Sequence, residues 1–261
     1  MEQVLGSITG HIDYFILILI RVSSLLMASP IFGRKALPNI VKIAFCLVVT
    51  YAVFAAKPAA GALSYNGVFD FGLMCVKELL FGLVLGYVTT LFFSVVQTAG
   101  QMMDMQMGFG MVNVFDVNSN ISVPVTGNLL NVILLVVFFG VNGHLQLIRM
   151  LVATFSHIPV GQVAFNPLMG LTAIQVFALA FVLAVNVSLP IVASGLLGEV
   201  ALGFIVRAIP QMNIFVVGIP LKIVLGLMML LLILPVFVSF SDVLFERMFG
   251  AIDQMIAGLA P

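Results

Sequence analysis

The sequence predicts an all-α, polytopic membrane protein of about six long, kinked helices. Three observations predict it. First, 62% of the 261 residues are hydrophobic and only 8% are charged, whereas a soluble domain carries about 25% charged residues. Ten basic and ten acidic side chains cannot make a water-facing surface for a chain this long, and mean hydropathy is +1.27. Second, long windows carry no Asp, Glu, Lys or Arg: Ile43–Ala56, Leu79–Met103, Val117–Ile148, Met150–Gly198 and Ile223–Ser241. Third, glycine and proline recur inside these windows, as they do in helices that pack within membranes.

A spanning helix needs about 20 largely apolar residues. The apolar stretches read as helices over roughly 12–32, 38–56, 68–103, 124–156, 168–206 and 211–248. The first opens after an N-terminus with Glu2 and Asp13 and no basic region, so it reads as a retained anchor and not as a cleaved signal peptide. The connection to the second holds Arg34, Lys35 and Lys42, which the positive-inside rule assigns to the cytoplasm, with the N-terminus outside. The window from Met150 is too long for one helix and must break at Pro159–Gly161 and around Asn166–Pro167. The third, fifth and sixth stretches exceed one crossing and should bend, tilt or leave the membrane plane. Gly82–Gly86 and Gly195–Gly203 are candidate packing faces, and Pro190, Pro220 and Pro235 are candidate kinks.

Ionisable residues inside apolar helices are costly and mark function. They are Arg21, Lys77, Glu78, Glu199, Arg207 and Lys222. Lys77 and Glu78 point about 100° apart on a helix and cannot pair with each other. Few acidic residues stand at comparable depth, so either water reaches these groups or, as is favoured, contacts with other subunits supply the counter-charges. No chain of Asp, Glu or His marks a proton path.

The most unusual segment is QMMDMQMGFGMVNVFDVNSNISVP, residues 101–124. Met102, Met103, Met105, Met107 and Met111 fall within ten residues, with Gly108, Gly110, Asp104, Asn113 and Asp116 among or after them. Methionine is flexible and repacks around varied partners. Glycine interrupts the helix, and Pro124 restarts one. Irregular backbone at membrane depth survives only inside protein or beside water, so this segment reads as a re-entrant or plugging element.

Several functions are excluded or disfavoured. Net charge is zero and no basic patch exists, which removes nucleic acid. His11, His144 and His157 are scattered, and Cys46 and Cys75 lie in apolar runs, so no metal, cofactor or disulfide is expected. Gly108-Phe-Gly110 is no dinucleotide fingerprint, and no catalytic motif or convergent acid–base set supports an enzyme. A secondary transporter for a small solute is the alternative. It would show internal repeats with its broken helices, and no convincing repeat is visible.

The whole chain resembles the flagellar biosynthesis FliR family and its virulence type III secretion counterparts, the SpaR/YscT-like proteins. The resemblance rests on four ordered blocks. The first is Arg21-Val-Ser-Ser-Leu with Ala28-Ser-Pro30-Ile-Phe-Gly33. The second is Gly100-Gln-Met-Met-Asp104-Met-Gln106-Met-Gly108-Phe. The third is Asn142-Gly-His144-Leu-Gln-Leu-Ile148 with Thr154-Phe-Ser-His-Ile-Pro159. The fourth is Glu199-Val-Ala-Leu-Gly203, Arg207-Ala-Ile-Pro210-Gln211-Met-Asn213-Ile-Phe-Val and Gly218-Ile-Pro220-Leu-Lys222. The chain departs at Asp116-Val117, where family members often carry Asp-Pro. The resemblance implies an export gate built with FliP and FliQ, wrapped by FlhB and set above FlhA, through which unfolded rod, hook and filament subunits pass. It implies a FliP-like part over about residues 1–165 and a FliQ-like helix pair over about 166–261. It implies a plug at 108–123, with Met105, Met107, Gly108, Phe109, Gly110, Met111, Asn113, Phe115 and Asp116 in or beside it. It also implies a place in the bacterial inner membrane and flagellar basal body, raised towards the periplasm.

Overall fold

The computed structural model describes residues 12–33, 38–56, 63, 65, 67–109, 124–211 and 214–259. Among them every regular element is a helix: α1 (Ile12–Ala28), α2 (Asn39–Ala56), α3 (Val68–Met107), α4 (Val125–Gly140), α5 (Gly143–His157), α6 (Met169–Ala208) and α7 (Ile214–Ala257). The all-α expectation holds, and the described residues alone form one helix more than the six read from the sequence. The stretch 124–156 divides at Val141–Asn142, where Asn142 takes the left-handed conformation with φ 58°. Asparagine is among the few non-glycine residues that adopt it readily, and glycines flank the break at Gly140 and Gly143.

α3 and α6 have 40 residues each and α7 has 44. At 1.5 Å per residue they run about 60 Å or more, twice the hydrocarbon thickness of a bilayer. Among the described residues four helices are long and apolar enough to cross a membrane: α2, α3, α6 and most of α7. The pair α4–α5 makes a fifth if counted as one broken span. Only 17% of the most apolar α7 window is buried within the chain, and side chains such as Val68 and Phe69 are more than four-fifths exposed. Such surface must meet lipid or other protein.

The chain folds as two compact units, each discontinuous in sequence. Unit 1 takes 1–91, 142–176 and 247–261; unit 2 takes 92–141 and 177–246. In unit 1, α1 packs along α2, and Leu17, Ile18 and Val22 of α1 are fully buried. α1 ends where Pro30 follows Ser29, whose N–H still donates to the Leu25 carbonyl at 2.9 Å. A β-carbon on Gly82 of α3 would strike the α1 backbone at Arg21 and Leu25. Gly82 and Gly86 therefore form the packing face expected of them, against Ser24 and Ala28. The irregular stretch after α5 begins at Ile158 and ends before Met169, covering both expected breaks. It is held by backbone bonds from Ala164 to the Leu259 carbonyl and from Asn166 to that of Gly258, at 3.3 and 3.1 Å.

Unit 2 is organised around Phe93, Phe138 and Phe245, whose ring centroids lie 5.2 to 6.4 Å apart. Pro190 sits inside α6 and Pro235 inside α7. Gly195 faces the Gln106 side chain and Gly198 faces Leu225, whereas Gly203 meets open space. The Gly195–Gly203 face is thus a packing face at one end only.

Candidate functional site: a buried ion pair and the methionine segment

The first polar constellation lies in unit 1. Arg21 of α1 and Glu78 of α3 form a bidentate pair, Nε to Oε2 and Nη2 to Oε1, the latter at 2.8 Å. Both side chains have zero solvent exposure. The remaining guanidinium arm donates from Nη1 to the Ile158 carbonyl at 3.0 Å. Glu78 Oε1 also accepts the Gly161 N–H at 2.8 Å. Gly161 has φ 84°, a conformation that glycine takes without strain and that turns its N–H onto the carboxylate. The Phe81 and Phe155 rings each lie 4.5 Å from the guanidinium carbon, a double cation–π contact. A buried charge pair tolerates desolvation only when its other polar atoms are met; here they are met by backbone groups of one turn.

This corrects the expectation for Arg21 and Glu78. They are matched to each other within the chain and are closed to any other subunit. Glu199 and Lys222 in unit 2 also pair within the chain, at 2.6 Å, and Gln106 donates to the same Glu199 oxygen at 3.4 Å. These side chains stay 45% and 27% exposed, so the pair is accessible. Lys77 is half-buried and Arg207 exposed, and neither has an ion pair among the described residues.

The second constellation is the methionine segment in unit 2. α3 ends in a Schellman motif: the Gly108 N–H bonds to the Met105 carbonyl at 3.3 Å and the Phe109 N–H to that of Asp104 at 3.0 Å. Gly108 holds the left-handed position, φ 87°. The methionines divide by helical face. Met103 and Met107, four apart, are 0% and 1% exposed, while Met105 is 78% exposed. Met107 therefore packs inside unit 2, against Gly226 and near the Thr126 hydroxyl, and does not line an open surface. Phe109 is half-buried. Gly110, Met111, Asn113, Phe115 and Asp116 lie outside the described residues.

Sequence reasoning missed the role of Asp104. Its carboxylate accepts the Thr126 hydroxyl, and also the Thr126 N–H at 3.2 and 3.3 Å. α4 thus receives its N-terminal cap from α3, because Pro124 has no side chain able to serve. Gly100 and Gly127 bring the same two helices into backbone contact. The sequence signal was present: an acid placed among apolar residues, with a helix start at Pro124 lacking a cap of its own. Among the described residues no group of three or more His, Cys, Asp or Glu could hold a metal ion.

Comparison with known sequences assigns the family. The sequence model of bacterial export proteins, family 1, matches residues 12–248. The chain is 30% identical over 243 residues to the flagellar biosynthetic protein FliR of Escherichia coli K12, covering 92% of each. It is 32% identical over 235 residues to that of Bacillus subtilis 168, covering 89% and 90%. To that of Aquifex aeolicus it is 26% identical over 95% of its own length. The chain belongs to family 1 of the bacterial export proteins, among the flagellar biosynthetic FliR proteins.

Proposed function

We propose that this chain is a non-enzymatic subunit of the flagellar type III protein-export gate. With FliP and FliQ it forms the channel through which unfolded rod, hook and filament proteins leave the cell, with FlhB and FlhA as further partners. The observation that carries the reading is the family match across nearly the whole chain, joined to relatives named for flagellar biosynthesis. The apolar surface left open on α7 supports an obligate assembly, seated in the bacterial inner membrane and raised towards the periplasm. The FliP-like part covers about residues 1–165 and the FliQ-like pair about 166–261.

Residues 108–123 are the plug. Two features support this: methionine at its entry, with Met105 exposed, and an α3 end fixed by the Gly108 turn and by Asp104. Flexible thioethers can seal a pore and still yield to varied polypeptides. Lys77, Arg207 and the accessible Glu199–Lys222 pair are the inter-subunit contacts.

Purification in mild detergent should recover this chain with FliP and FliQ. Deleting Gly108–Val123 should leave that complex intact and make the membrane leaky to ions. An intact complex with unchanged conductance sinks the plug; a chain that purifies alone sinks the gate.

A further inference from the structure

We infer that the cleft between the end of α1 and the start of α2 is a binding site for one acyl chain of an anionic phospholipid, with Lys42 holding the headgroup phosphate. The cleft lies within unit 1. It has a volume of about 170 Å³ and is lined by Leu26, Met27, Phe32, Val41, Phe45 and Cys46, with Lys42 as the one charged group among its described lining residues. Apolar cavities of about 150 Å³ stay dry and take apolar guests, so this cleft favours hydrocarbon over water. One wall is rigid, since Phe32 and Phe45 stack at 5.3 Å with planes 20° apart. The floor is closed by Leu26 and Cys46, 2% and 5% exposed, and the mouth is open beside Met27 at 60% and Val41 at 51%.

The cation selects the lipid class. Lys42 is half-buried, and among the described residues it meets no carboxylate. Its ammonium donates to the Gly33 carbonyl at 3.1 Å. An ammonium has three donors, so two remain for an anion at the rim. The carbonyl fixes the head of a side chain that would otherwise roam. Gly33 holds this place because a β-carbon there would strike the Met27 and Ser29 carbonyl oxygens. Lys42 stands in the first turn of a helix long enough to span a membrane, the level at which lipid phosphates lie. The positive-inside rule assigns the positive connection before α2 to the cytoplasmic side, where the leaflet surface is negative. A zwitterionic lipid would fill the cleft equally well but gain less from Lys42.

The inference is independent of the export reading, because it concerns the folded chain and its bilayer. Cys46 lines the cleft and makes a direct test. With Cys75→Ser, only one thiol remains of the two in the chain. The full chain is placed in nanodiscs of dioleoyl phosphatidylglycerol or dioleoyl phosphatidylcholine, and alkylation of Cys46 by an apolar maleimide is timed. Phosphatidylglycerol should slow labelling about fivefold more than phosphatidylcholine, the factor that one lysine is worth near an anionic surface. Lys42→Gln should abolish the difference and Lys42→Arg should keep it. Should Lys42→Gln misfold, the unaltered lysine still decides the matter, since its lipid preference must fall as salt rises. Equal protection by the two lipids, a preference that survives Lys42→Gln, or no labelling in either lipid overturns the site.

Discussion

Removing one charge of the Arg21–Glu78 pair should be among the most damaging single changes in unit 1. Both side chains are fully buried, so Glu78→Leu leaves an uncompensated guanidinium, a loss of about 3–5 kcal/mol. It also orphans the Gly161 N–H, worth about 1–3 kcal/mol. The sum is about 4–8 kcal/mol, comparable to the whole stability of many domains. Arg21→Met should be similarly severe, stranding the carboxylate, the Ile158 carbonyl and two aromatic faces. The double variant Arg21→Met, Glu78→Leu removes both charges and leaves two backbone groups unmet, about 2–6 kcal/mol. Hydrophobic replacement of the pair returns about 1–4 kcal/mol of that. The double variant should thus be milder than either single one, with a coupling of at least 3 kcal/mol. Unfolding in mixed micelles by SDS titration, followed by far-UV circular dichroism, measures the cycle. Single losses that simply add in the double variant would refute the reasoning.

Three further outcomes can be measured with the same titration. Gly100→Ala should destabilise unit 2 by about 1–3 kcal/mol, because its β-carbon meets the Gly127 backbone. Gly203→Ala, with nothing within 4 Å, should gain about 0.5–1 kcal/mol. Lys222→Gln should shift the chain's own stability by less than about 1 kcal/mol, since its pair is partly solvent-screened. It should instead lower recovery of FliP and FliQ, read by quantitative immunoblot; unchanged recovery removes Lys222 from the interface.

Much of the helical layout was legible because apolar length and helix punctuation are local properties. The breaks at Pro159 and Asn166, and the stop at Gly108, follow from residues that stand at those places. The division at Asn142 is equally local, but the stretch around it is so apolar that it reads as one helix. The charges were harder. Arg21 and Glu78 stand 57 residues apart, and nothing in either neighbourhood names the other. Their meeting depends on α1 closing against Gly82, a tertiary fact. The methionines fall between these cases. Spacing of four already sets Met103 and Met107 on one face and Met105 on another. Composition alone blurred them into a single flexible cluster, and the buried face proved to be structural.

The buried pair also constrains how the chain is made. Arg21 of α1 is made before its partner, and a lone arginine at the centre of a membrane helix costs about 2.5–3.5 kcal/mol. Glu78 follows 57 residues later, which at about 5–20 residues per second is about 3–11 s of synthesis. The Ile158 carbonyl, 137 residues behind Arg21, emerges only after about 7–27 s. For that interval α1 must hold its arginine towards headgroups or the insertion machinery, and the node closes in two stages, carboxylate first and turn second. A chain that ends before residue 78 leaves Arg21 without its carboxylate, whereas one that ends between Glu78 and Ile158 has the charges but lacks the turn that completes the node.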